Sequence, residues 1–171
     1  MAAPRQLLIG LFPTAKVRAE IVAHRKDWWW PRGSTLSAAE RLHLTLCCLA
    51  DHQGEAEQRL RDTLARVPMP LLELRLDSSG TWPNDISVVR PAAHDGLREF
   101  HDSLTGALRQ AGFISYAGGW TPHVTIARKS EHAACPGKLP PIHWTAREFR
   151  LVRSHRTPPF RHELLDAYPA C

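Results

Sequence analysis

Two short strings in this chain carry the residue types of acid–base chemistry in the same order: His43-Leu44-Thr45-Leu46 and His123-Val124-Thr125-Ile126. Side chains of an extended strand alternate between faces, so His43 and Thr45 project together while Leu44 and Leu46 point into a core. His123 and Thr125 stand to Val124 and Ile126 in the same way. Each string presents an imidazole and a hydroxyl side by side. The aliphatics fix the register, because a slip of one residue would bury the polar pair. A bare His-x-Thr/Ser occurs five times, at His43, His101, His123, His143 and His155. His101-Asp102-Ser103 falls on a predicted helix, where positions i and i+2 diverge. His155-Arg156-Thr157 runs into Pro158, and His143-Trp144-Thr145-Ala146 is a decoy that could begin a strand behind Pro140-Pro141. Only the strings at 43 and 123, 80 residues apart, have aliphatics at both alternate positions.

Two histidines on one cleft can divide a proton transfer between them. Imidazole titrates near pH ~6.5, so at neutral pH one ring can be neutral and the other protonated with little tuning. The neutral ring takes a proton from a nucleophile and the charged ring gives one to a leaving oxygen. Phosphodiester transfer suits this pair, since in-line displacement sets attacking and leaving oxygens on opposite sides of phosphorus. Thr45 and Thr125 would then hydrogen-bond the non-bridging oxygens, where charge rises in the transition state. Arg128 would add a permanent positive charge. A straight strand sends residue 128 to the opposite face from His123, so this role requires the chain to turn after Ala127. Trp120, three residues before His123, could stack on a base or pack at the foot of a loop.

The elements that must position these groups are legible as a β-α-β-α-β-β-α-β-β succession. Gln6–Leu11 reads as a strand and Thr14 caps a helix running to about Lys26. Leu42–Leu49 is a strand and Glu55–Val67 a helix. Leu71–Leu76 and Ile86–Val89 are strands separated by a turn at Ser79-Gly80. Asp95–Gln110 is an amphipathic helix stopped at Gly112. Val124–Ala127 and Arg147–Val152 close the pattern as strands. This order implies an α+β protein with helices packed outside antiparallel sheets. Trp28-Trp29-Trp30 breaks the first helix; packing is favoured for it over a cleft wall or a lid.

Composition narrows the classes. The 171 residues fit one domain, 1–171, with 43% apolar and 23% charged residues, which excludes wholesale disorder. No apolar run reaches the ~18–20 residues of a membrane span, and Leu7–Phe12 is too short for a secretory signal, so a cytoplasmic protein with no membrane partner is expected. The net charge of +5 is enough to favour polyanions without naming one. Only Lys16, Lys26, Lys129 and Lys138 among 22 basic residues are lysine. That arginine excess fits phosphate recognition and fits a GC-rich genome equally. Cys47, Cys48, Cys135 and Cys171 have neither disulfide-framework nor CxxC spacing. No HExxH, GxGxxG or P-loop string is present, so no metal and no cofactor is expected.

These strings resemble the 2H phosphoesterase superfamily, and most closely its RNA 2′,3′-cyclic phosphodiesterases, also called 2′-5′ RNA ligases. The resemblance spans nearly the whole chain, from the opening strand ending at Pro13 to Phe149-Arg150-Leu151-Val152-Arg153-Ser154. Its most specific piece is Pro122-His123-Val124-Thr125-Ile126-Ala127-Arg128. It implies two pseudo-symmetric α+β lobes of antiparallel sheet with outer helices, with one histidine string from each lining a central cleft. It further implies His43 as proton donor, His123 as proton acceptor, and Thr45, Thr125 and Arg128 as phosphate holders. The implied reaction is hydrolysis of a 2′,3′-cyclic phosphate, on RNA ends or cyclic nucleotides, to a 2′-phosphomonoester by a monomer. The chain departs from the family at Leu7 and Leu8, where base-stacking aromatics are usual, and at Cys48-Leu49-Ala50, where Phe-Leu-Gly is usual. Two alternatives stay open: a non-catalytic RNA- or nucleotide-binding module, and 2′-5′ ligation by the reverse reaction.

Overall fold

The apolar run at the start of the chain becomes a strand buried from Leu7 to Leu11, which a sequence buries on both faces only in the middle of a sheet. In a computed structural model, which describes residues 3–115 and 118–171, that strand is β1 (Arg5–Leu11). The described elements that follow are α1 (Ala15–Arg25), β2 (Thr35–Leu36), a 3-10 turn (Ala39–Arg41), β3 (Leu44–Leu49), α2 (Glu55–Ala65), β4 (Leu72–Thr81) and β5 (Ser87–Pro91). Then come α3 (Asp95–Gln110), β6 (Val124–Arg128), β7 (Ile142–Ala146), β8 (Glu148–His155) and β9 (Arg161–Pro169). Thr14 caps α1, its hydroxyl accepting from the Val17 amide at 3.2 Å. The His94 ring caps α3 in the same manner, accepting from the Leu97 amide at 3.0 Å.

The strands form one antiparallel sheet in the order β7-β4-β5-β6-β3-β1-β8-β9, with β2 added on β6. The sheet divides naturally at its centre. On one side lies a first lobe, β3-β1-β8-β9; on the other a second lobe, β6-β5-β4-β7. The connection β1-α1-β3 is matched by β5-α3-β6, so the lobes are pseudo-symmetric about the β3/β6 boundary. The two meet there through a single ladder pair, Leu44 with Val124. The helices cross over: α1, from the first lobe's connection, packs on β7 of the second, while α2 packs on α3 and on β9. One core runs through both lobes, with Leu7, Ile9, Leu44, Leu46, Phe149 and Leu151 from the first and Val89, Val124, Ile126, Leu74 and Trp144 from the second.

Four strands differ from the sequence reading, the shortest being β2, a two-residue strand added on β6 that the reading did not contain. β4 passes through Ser79-Gly80 to Thr81, because an extra residue at Asp77 bulges the strand without ending it. The reversal comes at Trp82–Asp85, with Asp85 in the left-handed region at φ 71°. β7 is the segment around His143: Ile142, Trp144 and Ala146 alternate into the core, and the prolines lie just outside. β9 has only one buried residue, Tyr168, so its sequence lacks the apolar alternation that marks a strand. It is an edge, specified by its ladder with β8.

The sharpest local constraint is Gly10. It faces Thr45 across the β1–β3 ladder, and a Cβ there would sit 2.9 Å from the Leu44 carbonyl oxygen. Only glycine lets β1 approach that closely.

Candidate active site

His43 and His123 each stand one residue ahead of the strand that follows, where the chain is still turning. The 3-10 turn leads into His43, whose Nδ1 lies 2.6 Å from the Arg41 carbonyl. Thr121-Pro122 leads into His123, whose Nδ1 lies 2.9 Å from the Thr121 carbonyl. A carbonyl can only accept, so Nδ1–H donates in both rings and Nε2 is the nitrogen left for chemistry. The same i to i−2 bond thus sets both tautomers and orientations.

The Leu44–Val124 pair sets the relation between the rings. Carrying that antiparallel register one residue either way puts His43 opposite Thr125 and Thr45 opposite His123. The imidazoles then lie on a diagonal of the same sheet face, where Cβ atoms are about 7–8 Å apart. The ladder between the lobes is only one pair long. A cleft of about 440 Å³ opens there, walled by Arg41, His43, Thr125, Arg128, Ser154, Arg156, Phe160 and His162, with Thr35–Ser37 at its lip. Thr45 and His123 are not among its lining residues; they continue the same face past the seam, where His123 meets the edge of Trp82 at a centroid distance of 4.5 Å.

Arg128 reaches the cleft by a different route from the turn expected after Ala127. The ladder with β5 runs Ser87 to Ala127 and then Val88 to Thr125, leaving Ile126 without a partner. This β-bulge advances the alternation by one, so Ile126 and Ala127 are both buried and Arg128 emerges on the face of Thr125. The first lobe repeats the device. Ile9 pairs with Cys47 and Gly10 with Thr45, so Leu46 is the extra residue and Cys48 emerges on the face of Thr45. His, Thr and the fifth residue along therefore share one face in each lobe: His43, Thr45 and Cys48 in the first, and His123, Thr125 and Arg128 in the second.

The two rings have different surroundings. His43 stacks on Phe12 at 5.4 Å and meets the edge of His162 at 5.1 Å. Burial pushes its pKa below the ordinary value. The bond to the Arg41 carbonyl partly restores it, and the charges of Arg128, His123 and Arg41 lower it again. His162 is pushed down to about 4, by burial first and then by His43 and Arg41, and is neutral at any ordinary pH. Its Nδ1 is buried with no hydrogen-bond partner among the described residues. Sequence reading missed Arg41, Arg156, Phe160 and His162, none of which lies in a repeated string. Among the described residues, no group of three or more His, Cys, Asp or Glu is arranged to hold a metal ion.

Trp120 is placed differently from a base-stacking residue of this cleft. Its ring lies flat on His101, with centroids 3.7 Å apart and planes 2° from parallel. Its Nε1 donates to the Thr45 carbonyl at 3.1 Å. It lines an adjoining hollow of about 420 Å³ with Thr121, Pro122, Arg90, His94 and Arg98. Of the three consecutive tryptophans, Trp28 is buried and stacks on Trp30 at 4.7 Å, so these two pack, while Trp29 is 61% exposed.

The 2′-5′ RNA ligase superfamily model matches residues 13–158 of this chain. The chain belongs to that superfamily. The RNA 2′,3′-cyclic phosphodiesterase of Escherichia coli K12 is 26% identical over 162 residues, covering 90% of this chain and 89% of its own. Among solved structures, a phosphoesterase superposes with TM-score 0.84 at 24% identity, over 98% of this chain and 99% of that one. E. coli LigT complexed with 3′-AMP superposes with TM-score 0.82 at 23% identity, again over 98% and 99%. These likenesses fix the fold as that of the 2′-5′ RNA ligase superfamily, with its two lobes of curled antiparallel sheet. No described helix is long and apolar enough to cross a membrane.

Proposed function

We propose that this protein hydrolyses 2′,3′-cyclic phosphodiesters, on RNA ends or in nucleotides, to 2′-phosphomonoesters by two-histidine acid–base catalysis. The observation that carries this reading is the matched pair of imidazoles, each with Nδ1 committed to a carbonyl two residues back so that Nε2 is left free, on strands whose Leu44–Val124 register puts both on one sheet face. The name of the E. coli relative, and that LigT has been solved with 3′-AMP, agree with the substrate class. His123 takes the proton of a water as its oxygen bonds to phosphorus. The P–O3′ bond breaks, and O3′ receives a proton from His43. Thr125, Thr45 and Arg128 hold the non-bridging oxygens, and Trp120 contributes through the Thr45 carbonyl it braces. No metal ion is required.

The test is incubation with the four nucleoside 2′,3′-cyclic monophosphates. The 2′-phosphate should form, EDTA should leave the rate unchanged, and His43→Ala or His123→Ala should remove turnover without unfolding the chain. Turnover surviving in both variants, or a 3′-phosphate product, overturns the reading.

One observation favours exchanged roles. The surroundings of His43 favour its neutral form, which suits a base, whereas a donor must start protonated. A bound phosphodiester, itself anionic, opposes Arg128 and returns His43 toward protonation. A substrate with a nitrophenolate leaving group needs no acid. It should therefore rescue His43→Ala and leave His123→Ala inactive if His43 is the donor, and do the reverse if the roles are exchanged.

A further inference from the structure

The residues that bulge to turn Arg128 and Cys48 onto the cleft face are Ile126 and Leu46, the extra residues against β5 and β1; their carbonyls are the ones that matter here. Each is met by a buried side chain from a helix of the opposite lobe's connection. Arg25, at the end of α1, donates from Nη1 to the Ile126 carbonyl at 3.2 Å and to the Ser37 carbonyl at 2.6 Å. His101, on α3, places Nε2 3.1 Å from the Leu46 carbonyl. Arg25 is 9% and His101 7% exposed.

Arg25 is the more demanding of the two. No carboxylate among the described residues pairs with its guanidinium, and its charge is opposed by burial alone. An unpaired buried cation is costly unless its hydrogen bonds are made. Here both bonds go to main-chain oxygens, one at the end of β2 and one at the bulge of β6. The Ile126 oxygen also accepts from the Ser37 amide at 3.0 Å, so both its lone pairs are used. Trp30 Nε1 in turn donates to the Arg25 carbonyl at 3.0 Å, fixing the helix end from which the guanidinium reaches.

We infer that Arg25 is a positioning residue for Arg128: it holds the Ile126 bulge in place, and the bulge decides that the guanidinium of Arg128 lies beside His43 and Thr125. Resting on the phosphodiesterase reading for its kinetic consequence, the inference itself concerns placement, and placement can be read without turnover. His101 is the matching clamp in the first lobe, but the residue its bulge presents is Cys48, so no cation is set by it.

The experiment compares wild type, Arg25→Met, Arg128→Ala and the double variant by NMR titration of the His43 ring. The groups facing that ring are Arg41, Arg128, His123 and His162. Arg128→Ala should raise the His43 pKa by removing a nearby cation, Arg25→Met should raise it in the same direction, and the double variant should rise no further than Arg128→Ala alone. In parallel, kcat/KM for a 2′,3′-cyclic nucleotide should fall about 10-fold or more in Arg25→Met, with no further fall when it is added to Arg128→Ala. An unmoved His43 pKa in Arg25→Met, or shifts and rate losses that simply add, overturns the inference. If Arg25→Met does not fold, Arg25→Lys, which keeps the charge and loses the two-carbonyl reach, takes its place with the same criteria. Wild type inactive on cyclic nucleotides would refute the proposed function and leave the titration to decide this point.

Discussion

The two histidine strands share a sequence pattern, a tautomer-setting bond and a bulge at the same position, yet they do not offer the same chemistry. The first lobe surrounds its imidazole with Phe12 and His162 and presents Cys48 at the fifth position. The second sets its imidazole against Trp82 alone among the described rings and presents Arg128. Cys48 is no anion at neutral pH, because burial raises its thiol pKa, with Arg156 only partly opposing this. Arg128 has no basic counterpart at the equivalent position of the first lobe, so the fifth position breaks the symmetry between the two strands. Duplicated backbone geometry thus delivers two matched nitrogens, and unmatched side chains give them different surroundings.

Removing the symmetric part should have the largest effect. His43→Ala and His123→Ala should each lower kcat for a 2′,3′-cyclic nucleotide by roughly 10²–10⁴-fold, the usual range for a positioned acid or base; steady-state kinetics at fixed pH measures it. The asymmetric part should follow. Arg128→Ala should cost about 10²-fold, as loss of a transition-state phosphate donor does, while Cys48→Ala should leave the rate within about twofold. Equal losses from the two variants would dissolve the contrast between the lobes.

The neighbour of His43 supplies a third comparison, read in stability. The His162 pKa falls from the ordinary 6.5 to about 4 on folding. Between those values the unfolded chain binds the proton that the folded one refuses. The stabilisation is therefore complete above pH 6.5 and is lost as pH falls toward 4, by at most roughly 3 kcal/mol. Thermal melts from pH 7.5 to 4 should show a falling Tm, and His162→Gln should flatten that slope. The smallest effect expected is from Gly10→Ala. The new methyl meets the Leu44 carbonyl at 2.9 Å, which should cost about 1–3 kcal/mol in a denaturant titration, with the first-lobe bulge disturbed and the second untouched.

The histidine strings were legible because they repeat, and because their aliphatic neighbours report a buried face at both ends of the chain. The bulges were not legible. Leu46 and Ile126 fit a plain alternating strand as well as a bulged one, and only the ladders with β1 and β5 show that each is the extra residue. That is why Arg128 could be expected at the cleft on grounds of type while its route there was misjudged. β9 escaped notice since an edge strand needs partners for its backbone more than apolar side chains, and His162 went with it. Trp120 was judged by its closeness to His123 in the chain, whereas its indole N–H is bonded to Thr45, 75 residues away. Long-range hydrogen bonds of that kind leave no periodic trace.

The lobes also differ in how the polypeptide is spent on them. β4 to β7 of the second run uninterrupted from Leu72 to Ala146, whereas the first joins β1 and β3 to β8 and β9, so that Arg5 must find His155. Pairings so distant along a chain are slow to close. During synthesis the half holding His123 has all its strands made before β8 and β9 of the other half. The pocket around His43 stays unfinished until the segment carrying His162 has emerged from the ribosome.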